Sequence, residues 1–268
     1  MSKFKDCFRK FSWIEIIITI CILNWAIING YSALNPSIDV NSSAIFFGAY
    51  YKAFISGAFE FHRFFTSGFT HIGIIHLFVN MLAFKVIGLS CQRVFSTKKS
   101  IFILFSSIIC GSYFLYCMNP NNTLAVGLSG GIYGLMGATI IYLWEVGALK
   151  IPHIRRQIIS TVSINLLINF LPGIAAEAHL GGFIMGVFLG FLYSNNPTWS
   201  LAKNNAKISL VILLLLSPFL IKTKYEIPTD QIYLGTDIQV VQIADGFGLN
   251  FYSNWLENRM LSYYESLQ

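Results

Sequence analysis

Seven apolar runs punctuate the chain, at about 11–30, 71–88, 100–118, 127–145, 157–173, 178–194 and 207–221, with polar stretches between them. Each lies near the ~20 residues that a helix rising 1.5 Å per residue needs to cross a hydrocarbon layer ~30 Å thick. Backbone polar groups in lipid must be satisfied within the segment, so the pattern predicts an all-α fold, a polytopic bundle of membrane helices. The seventh run is the shortest, since it lies between Lys207 and Lys222 and contains Pro218. It spans only if those lysine stems snorkel to the interfaces or the bilayer thins. One connection, 31–70, is unusually long and crowded with aromatics from Phe46 to Phe65. Such a segment is expected in the membrane interface, where amphipathic rings are favourable, or packed as an external loop.

Charge orients this pattern. Thirteen of the 18 Lys and Arg residues fall in the N-terminal tail (Lys3, Lys5, Arg9, Lys10) and in alternate connections (Lys85 to Lys99, Lys150 to Arg156, Lys203 and Lys207). The other five, Lys52, Arg63, Lys222, Lys224 and Arg259, fall on the opposite side. Basic residues accumulate on the cytoplasmic side, so the 1–10 tail is expected in the cytoplasm and the 222–268 tail outside. That tail has three basic and six acidic residues, a charge of −3 that an outer location tolerates well. Read this way, the net charge of +6 is a topology signal and points to no nucleic-acid partner. Composition agrees: 55% hydrophobic and 11% charged, against ~25% charged for soluble domains, excludes an ordinary soluble enzyme. With 24 Phe, 13 Tyr and 5 Trp, disorder is excluded as well. Five cysteines form no CxxC pair and match no zinc spacing. The run from Phe11 is longer than a signal-peptide core and reads as an uncleaved first span. A multi-pass protein of a bacterial plasma membrane is expected.

Polar groups inside spans are costly, and each is therefore a functional candidate. Gly127-Leu128-Ser129-Gly130-Gly131 at the start of span four satisfies the G-x-S-x-G template, but no strand precedes it and a membrane run follows, so the nucleophile-elbow reading fails. What remains is Ser129 in the first turn of a helix, roughly 24 Å above Glu145 at 1.5 Å per residue. At the start of span six, Ala178-His179-Leu180-Gly181-Gly182 continues as Gly182, Gly186 and Gly190. Gly130, Gly134 and Ala138 offer a matching small-residue face on span four. Apposing the two faces brings His179 and Ser129 within hydrogen-bond reach, and an adjacent imidazole is what makes a serine a competent nucleophile. A small-residue face alone serves packing equally well; the histidine opposite a serine is what favours chemistry. Glu177 is about 200° around the helix from His179, while Glu15 and Glu145 lie toward the cytoplasmic side, so a dyad is expected, with His179 packed on the Tyr133 ring. In span two, His71 precedes His76 and Asn80, which are four apart and face the same way. Both can donate to a developing oxyanion, together with backbone N–H groups beside Ser129. A zinc site competes for these histidines, but HExxH is absent and span two offers no carboxylate or cysteine, so neither metal nor cofactor is expected.

Gly127-Leu128-Ser129-Gly130 with Tyr133, Ala178-His179-Leu180-Gly181-Gly182, and His71, His76 and Asn80 together resemble the rhomboid intramembrane serine proteases. The resemblance covers roughly residues 11–194. It implies Ser129 as nucleophile, His179 as general base, and His76, Asn80 and the Ser129 backbone N–H as oxyanion hole, with His71, Gly127, Gly130, Tyr133 and Gly182 in supporting positions. The family's first loop carries a Glu-x-Trp-Arg signature; Glu60-Phe61-His62-Arg63 keeps Glu60 and Arg63, read as a structural pair, and has His62 where tryptophan is usual. The extra C-terminal span resembles the family's six-plus-one arrangement. The implied layout is a 1–10 cytoplasmic tail, an 11–194 catalytic core, a 195–221 linker and seventh span, and a 222–268 outer tail. Peptide hydrolysis in transmembrane segments of single-span or polytopic substrates near the outer membrane face is the expected activity. Two rivals stand beside it: a catalytically inactive relative that binds and traffics membrane proteins, and a small transporter using the intramembrane histidines.

Overall fold

The computed structural model describes residues 12–119, 123–171, 173–205, 207 and 231–265. Its first helix, α1 (Trp13–Leu34), starts where Ser12 and Glu15 cap each other: the Glu15 N–H donates to the Ser12 hydroxyl and the Ser12 N–H to the Glu15 carboxylate. This satisfies two of the donors a helix start leaves free. Three short helices follow, α2 (Val40–Phe46), α3 (Lys52–Gly57) and α4 (Arg63–Thr66). The long helices α5 (Ile74–Val94) and α6 (Thr97–Met118) are separated by a two-residue turn in which Ser96 caps α6. Then come α7 (Ser129–Glu145), α8 (Pro152–Ile168) and α9 (Ala176–Tyr193).

The polytopic helical bundle is therefore as the apolar pattern predicts. By length and composition α1, α5, α6 and α9 are able to cross a membrane. The helices in the fourth and fifth runs, α7 and α8, have 17 residues each. The expected fifth run, 157–173, is displaced: α8 starts at Pro152, whose ring is preset for a first turn, and ends at Ile168, before a turn through Asn169 and Gly173. The expected span at 207–221 lies outside the described residues apart from Lys207, as do most of the 195–221 linker's later half and the 1–11 stretch.

Packing centres on α7, which is buried along Gly130 to Ala138 and again at Ile141 and is flanked by α5, α6 and α9. Added methyl groups show how close α9 lies: a Cβ at Gly182 would strike the Gly130 carbonyl, one at Gly186 the Gly134 carbonyl, and one at Gly190 would sit 2.8 Å from Ile141 Cβ. The small-residue repeats thus meet in the register their spacing implies, allowing near backbone contact. Along α5, Ile75, Phe78, Leu82 and Val86 face outward and leave an apolar surface suited to lipid.

At one end of the bundle the 31–70 segment is packed against other elements of the chain. Its strand β1 (Tyr50–Tyr51) pairs antiparallel with β2 (Leu124–Ala125), in register Tyr50↔Ala125. Two further helices, α10 (Gln231–Gly246) and α11 (Asn250–Glu265), lie on α2 and α3. Val240, Leu256 and Met260 join Ile45 and Phe54 there in a second core. Its aromatics turn inward because this core exists; Phe59 and Phe61 stay exposed.

Candidate active site

Pairing of β1 with β2 fixes the strand that leads into α7. The next residue to matter is Gly127, whose φ of +123° belongs to a region glycine adopts without strain. Its N–H donates to the Ser67 carbonyl at 3.0 Å, pinning the turn. A Cβ there would lie 2.9 Å from His76 Cε1 and 3.8 Å from Asn80 Nδ2, so only a glycine lets the chain pass this close to both side chains. Two residues later Ser129 opens α7. Backbone N–H groups of the first turn have no partner within a helix and aim at whatever lies before it.

Gly182 against Gly130 brings the first turn of α9 beside that of α7. His179 Nε2 consequently lies 2.7 Å from Ser129 Oγ. The imidazole is 6% exposed and stacks flat on the Tyr133 ring, with centroids 4.2 Å apart and planes 11° from parallel. Tyr133 sits one turn after Ser129 on the same face of α7.

The remaining ring nitrogen, His179 Nδ1, is 2.5 Å from Asn169 Oδ1 in the turn that ends α8. Tyr133 Oη donates to the Asn165 carbonyl at 2.9 Å and to Asn169 Oδ1 at 3.3 Å. Reasoning from sequence missed Asn169, although Asn165 and Asn169 are polar residues four apart in an apolar run, the signal that marks a candidate in a membrane helix.

His76 and Asn80 lie on one face of α5 at the Gly127 turn. Asn80 is 5% exposed and donates one amide hydrogen to the His76 carbonyl at 3.0 Å, which leaves the second. His71, fully buried, stands with its ring centroid 5.3 Å from that of His76. A cavity of about 30 Å³, roomy enough for water, touches Ser129 between Ser67, Ser112, Gly127 and Ala178. Among the described residues no group of three or more His, Cys, Asp or Glu stands close enough to hold a metal ion.

Behind the site, Arg63 and Glu60 form a buried ion pair at 2.5 Å. The Arg63 guanidinium also donates to the carbonyls of Ile45 and Ala49 at 2.5 and 2.8 Å. The second Glu60 oxygen accepts from Tyr252 Oη of α11 at 2.7 Å. Burial, and then the Glu60 carboxylate, raise the Tyr252 pKa above its ordinary value, so the phenol keeps the proton it donates. His62 is exposed beside this pair.

The model of the Rhomboid domain matches residues 58–196, which contain Ser129, His179, Tyr133, Asn169, His71, His76 and Asn80. RHOMBOID-like protein 7 of Arabidopsis thaliana is 30% identical over 206 residues, 72% of this chain and 62% of its own length. Rhomboid protease AarA of Providencia stuartii is 29% identical over 206 residues, 67% of this chain and 73% of its own. Inactive RHOMBOID-like protein 8 of Arabidopsis thaliana is 32% identical over 156 residues, 56% of this chain and 43% of its own. The chain thus spans less than two thirds of the length of these plant relatives.

Proposed function

The chain belongs to the rhomboid family, and from that premise we propose that it is a serine endopeptidase that cleaves transmembrane segments of single-span or polytopic membrane proteins near the outer face of a bacterial plasma membrane. Ser129 is the nucleophile and His179 the general base. Ser129 Oγ attacks the scissile carbonyl carbon while its proton passes to His179 Nε2. The tetrahedral oxyanion is met by the free Asn80 amide hydrogen, by His76 and by first-turn N–H groups of α7, including that of Ser129. As the intermediate collapses, the C–N bond breaks and His179 returns the proton to the departing amine. Water then adds to the acyl-Ser129 ester with His179 again as base, releasing the new carboxylate and free Ser129. The small cavity beside Ser129 gives that water a place next to the ester.

The observation carrying this reading is the 2.7 Å contact between Ser129 Oγ and His179 Nε2, made by helices whose glycine faces let the two backbones approach this closely. A helical substrate in lipid has its backbone groups bonded internally, so it must locally unwind before its carbonyl can enter. Substrates weakened by Gly, Pro or Ser near the scissile bond are therefore preferred. The alternating Lys and Arg distribution supports an orientation with the Ser129 end outside.

One matched relative is named inactive, so the decisive contrast is hydrolysis against mere binding. The full chain reconstituted with tagged single-span substrates is expected to yield two fragments cut in the outer part of the span, and Ser129→Ala to yield none. Stable capture of every such substrate without fragments would favour a binding role instead.

A further inference from the structure

We propose that Asn169 is a third member of the site, a positioning residue that fixes the tautomer and plane of His179; this rests on the serine-protease reading above. An amide oxygen only accepts hydrogen bonds. With Asn169 Oδ1 2.5 Å from His179 Nδ1, the ring proton is held on Nδ1 and the Nε2 lone pair is turned to Ser129 Oγ, 2.7 Å away. That is the tautomer a base needs before it takes a serine proton, and the one a mis-set third group destroys in other serine enzymes. When Nε2 takes the proton, the positive charge formed on the ring strengthens the bond from Nδ1 to Oδ1, so the contact is tighter during reaction than before it. Oδ1 also lies 3.3 Å from Tyr133 Oη, which shares its one proton between Oδ1 and the Asn165 carbonyl, while the Tyr133 ring stacks on His179. Three helices meet at one imidazole: α7 through Ser129 and Tyr133, α9 through His179, and the end of α8 through Asn169.

A purely structural role would be to hold α8 against the bundle. None of the 17 residues of α8 is buried, and its attachment at Asn165 runs through a backbone carbonyl that accepts from Tyr133. Replacing the Asn169 side chain leaves that second attachment in place. The amide's distinctive consequence is therefore on the histidine.

The test uses the full chain in detergent, with steady-state cleavage of a fluorogenic transmembrane substrate, the rate of labelling by a fluorophosphonate, and the melting temperature, for wild type, Asn169→Leu and Asn169→Asp. Asn169→Leu is expected to lower kcat about tenfold or more with KM within roughly twofold and the melting temperature held, and to slow labelling in parallel. Asn169→Asp, which restores an acceptor of the same size, is expected to recover most of the rate. A wild-type rate in Asn169→Leu overturns the assignment. So does a loss that tracks a fallen melting temperature and is not recovered by Asn169→Asp, which is what a merely structural residue produces; should Asn169→Leu not fold, Asn169→Ser, which keeps a shorter polar group, takes its place in the same comparison. Absence of wild-type labelling is a separate result, removing the serine-protease reading itself.

Discussion

Asn80 is almost wholly buried and retains one amide hydrogen after bonding the His76 carbonyl, next to the turn that presents Ser129. Asn80→Ala is expected to lower kcat about 10²- to 10³-fold with KM little changed, the mark of a donor that acts in the transition state. Steady-state kinetics decide it, and a rise in KM alone would make Asn80 a substrate-binding group. By contrast, His62 makes no contact that the buried Glu60–Arg63 pair depends on. His62→Trp, which restores the usual family residue, should alter stability by no more than about 0.5 kcal/mol. The pairing of Ser129 with His179 was legible in the sequence because two four-residue glycine periods set both their register and their depth. Asn169 was not, since it belongs to no motif and comes to His179 only because α8 ends at Ile168, five residues before the apolar run does.

Glycine spacing is also where the elements carry their information. Gly186 has no room for a side chain, as a Cβ would enter the Gly134 carbonyl, whereas Gly30 in α1 has nothing within 4 Å of that position. Gly186→Val is expected to force α7 and α9 apart, destabilising the chain by about 1–3 kcal/mol or more and lowering activity with it, while Gly30→Ala leaves both unchanged. Thermal melting in detergent together with cleavage rates reads the contrast; equal tolerance at both positions would mean the helices do not meet as described. Helix existence followed from apolar run length, and the ends that shifted did so at local chemistry: Pro152 starts α8 early, and Ser96 divides α5 from α6 within a polar stretch. The short helices α2 to α4 were not legible, because the aromatics of 31–70 show no helical period. The positions of α2 and α3 depend on a distant partner, α10 and α11, while α4 packs on α6 and β1.

That partner is the least legible feature of the whole molecule. The tail's acidic charge raises only the expectation of an outer location, whereas in the fold Tyr252 donates to Glu60, and Val240, Leu256 and Met260 complete the core of the 31–70 segment. Tyr252→Phe keeps the ring and removes the donor to a buried carboxylate, so it is expected to cost about 1–3 kcal/mol in stability. Activity measured well below the melting temperature should be unchanged, since Tyr252 does not touch the Ser129 site. At the scale of the molecule the proposed activity rests on one hydroxyl, that of Ser129, set 2.7 Å from His179 Nε2. Mass spectrometry of the full chain after fluorophosphonate treatment tests this most directly: one adduct mapping to Ser129 in the wild type, with none in Ser129→Ala or His179→Ala, is the result expected. An adduct on another residue, or undiminished labelling after His179→Ala, would contradict it.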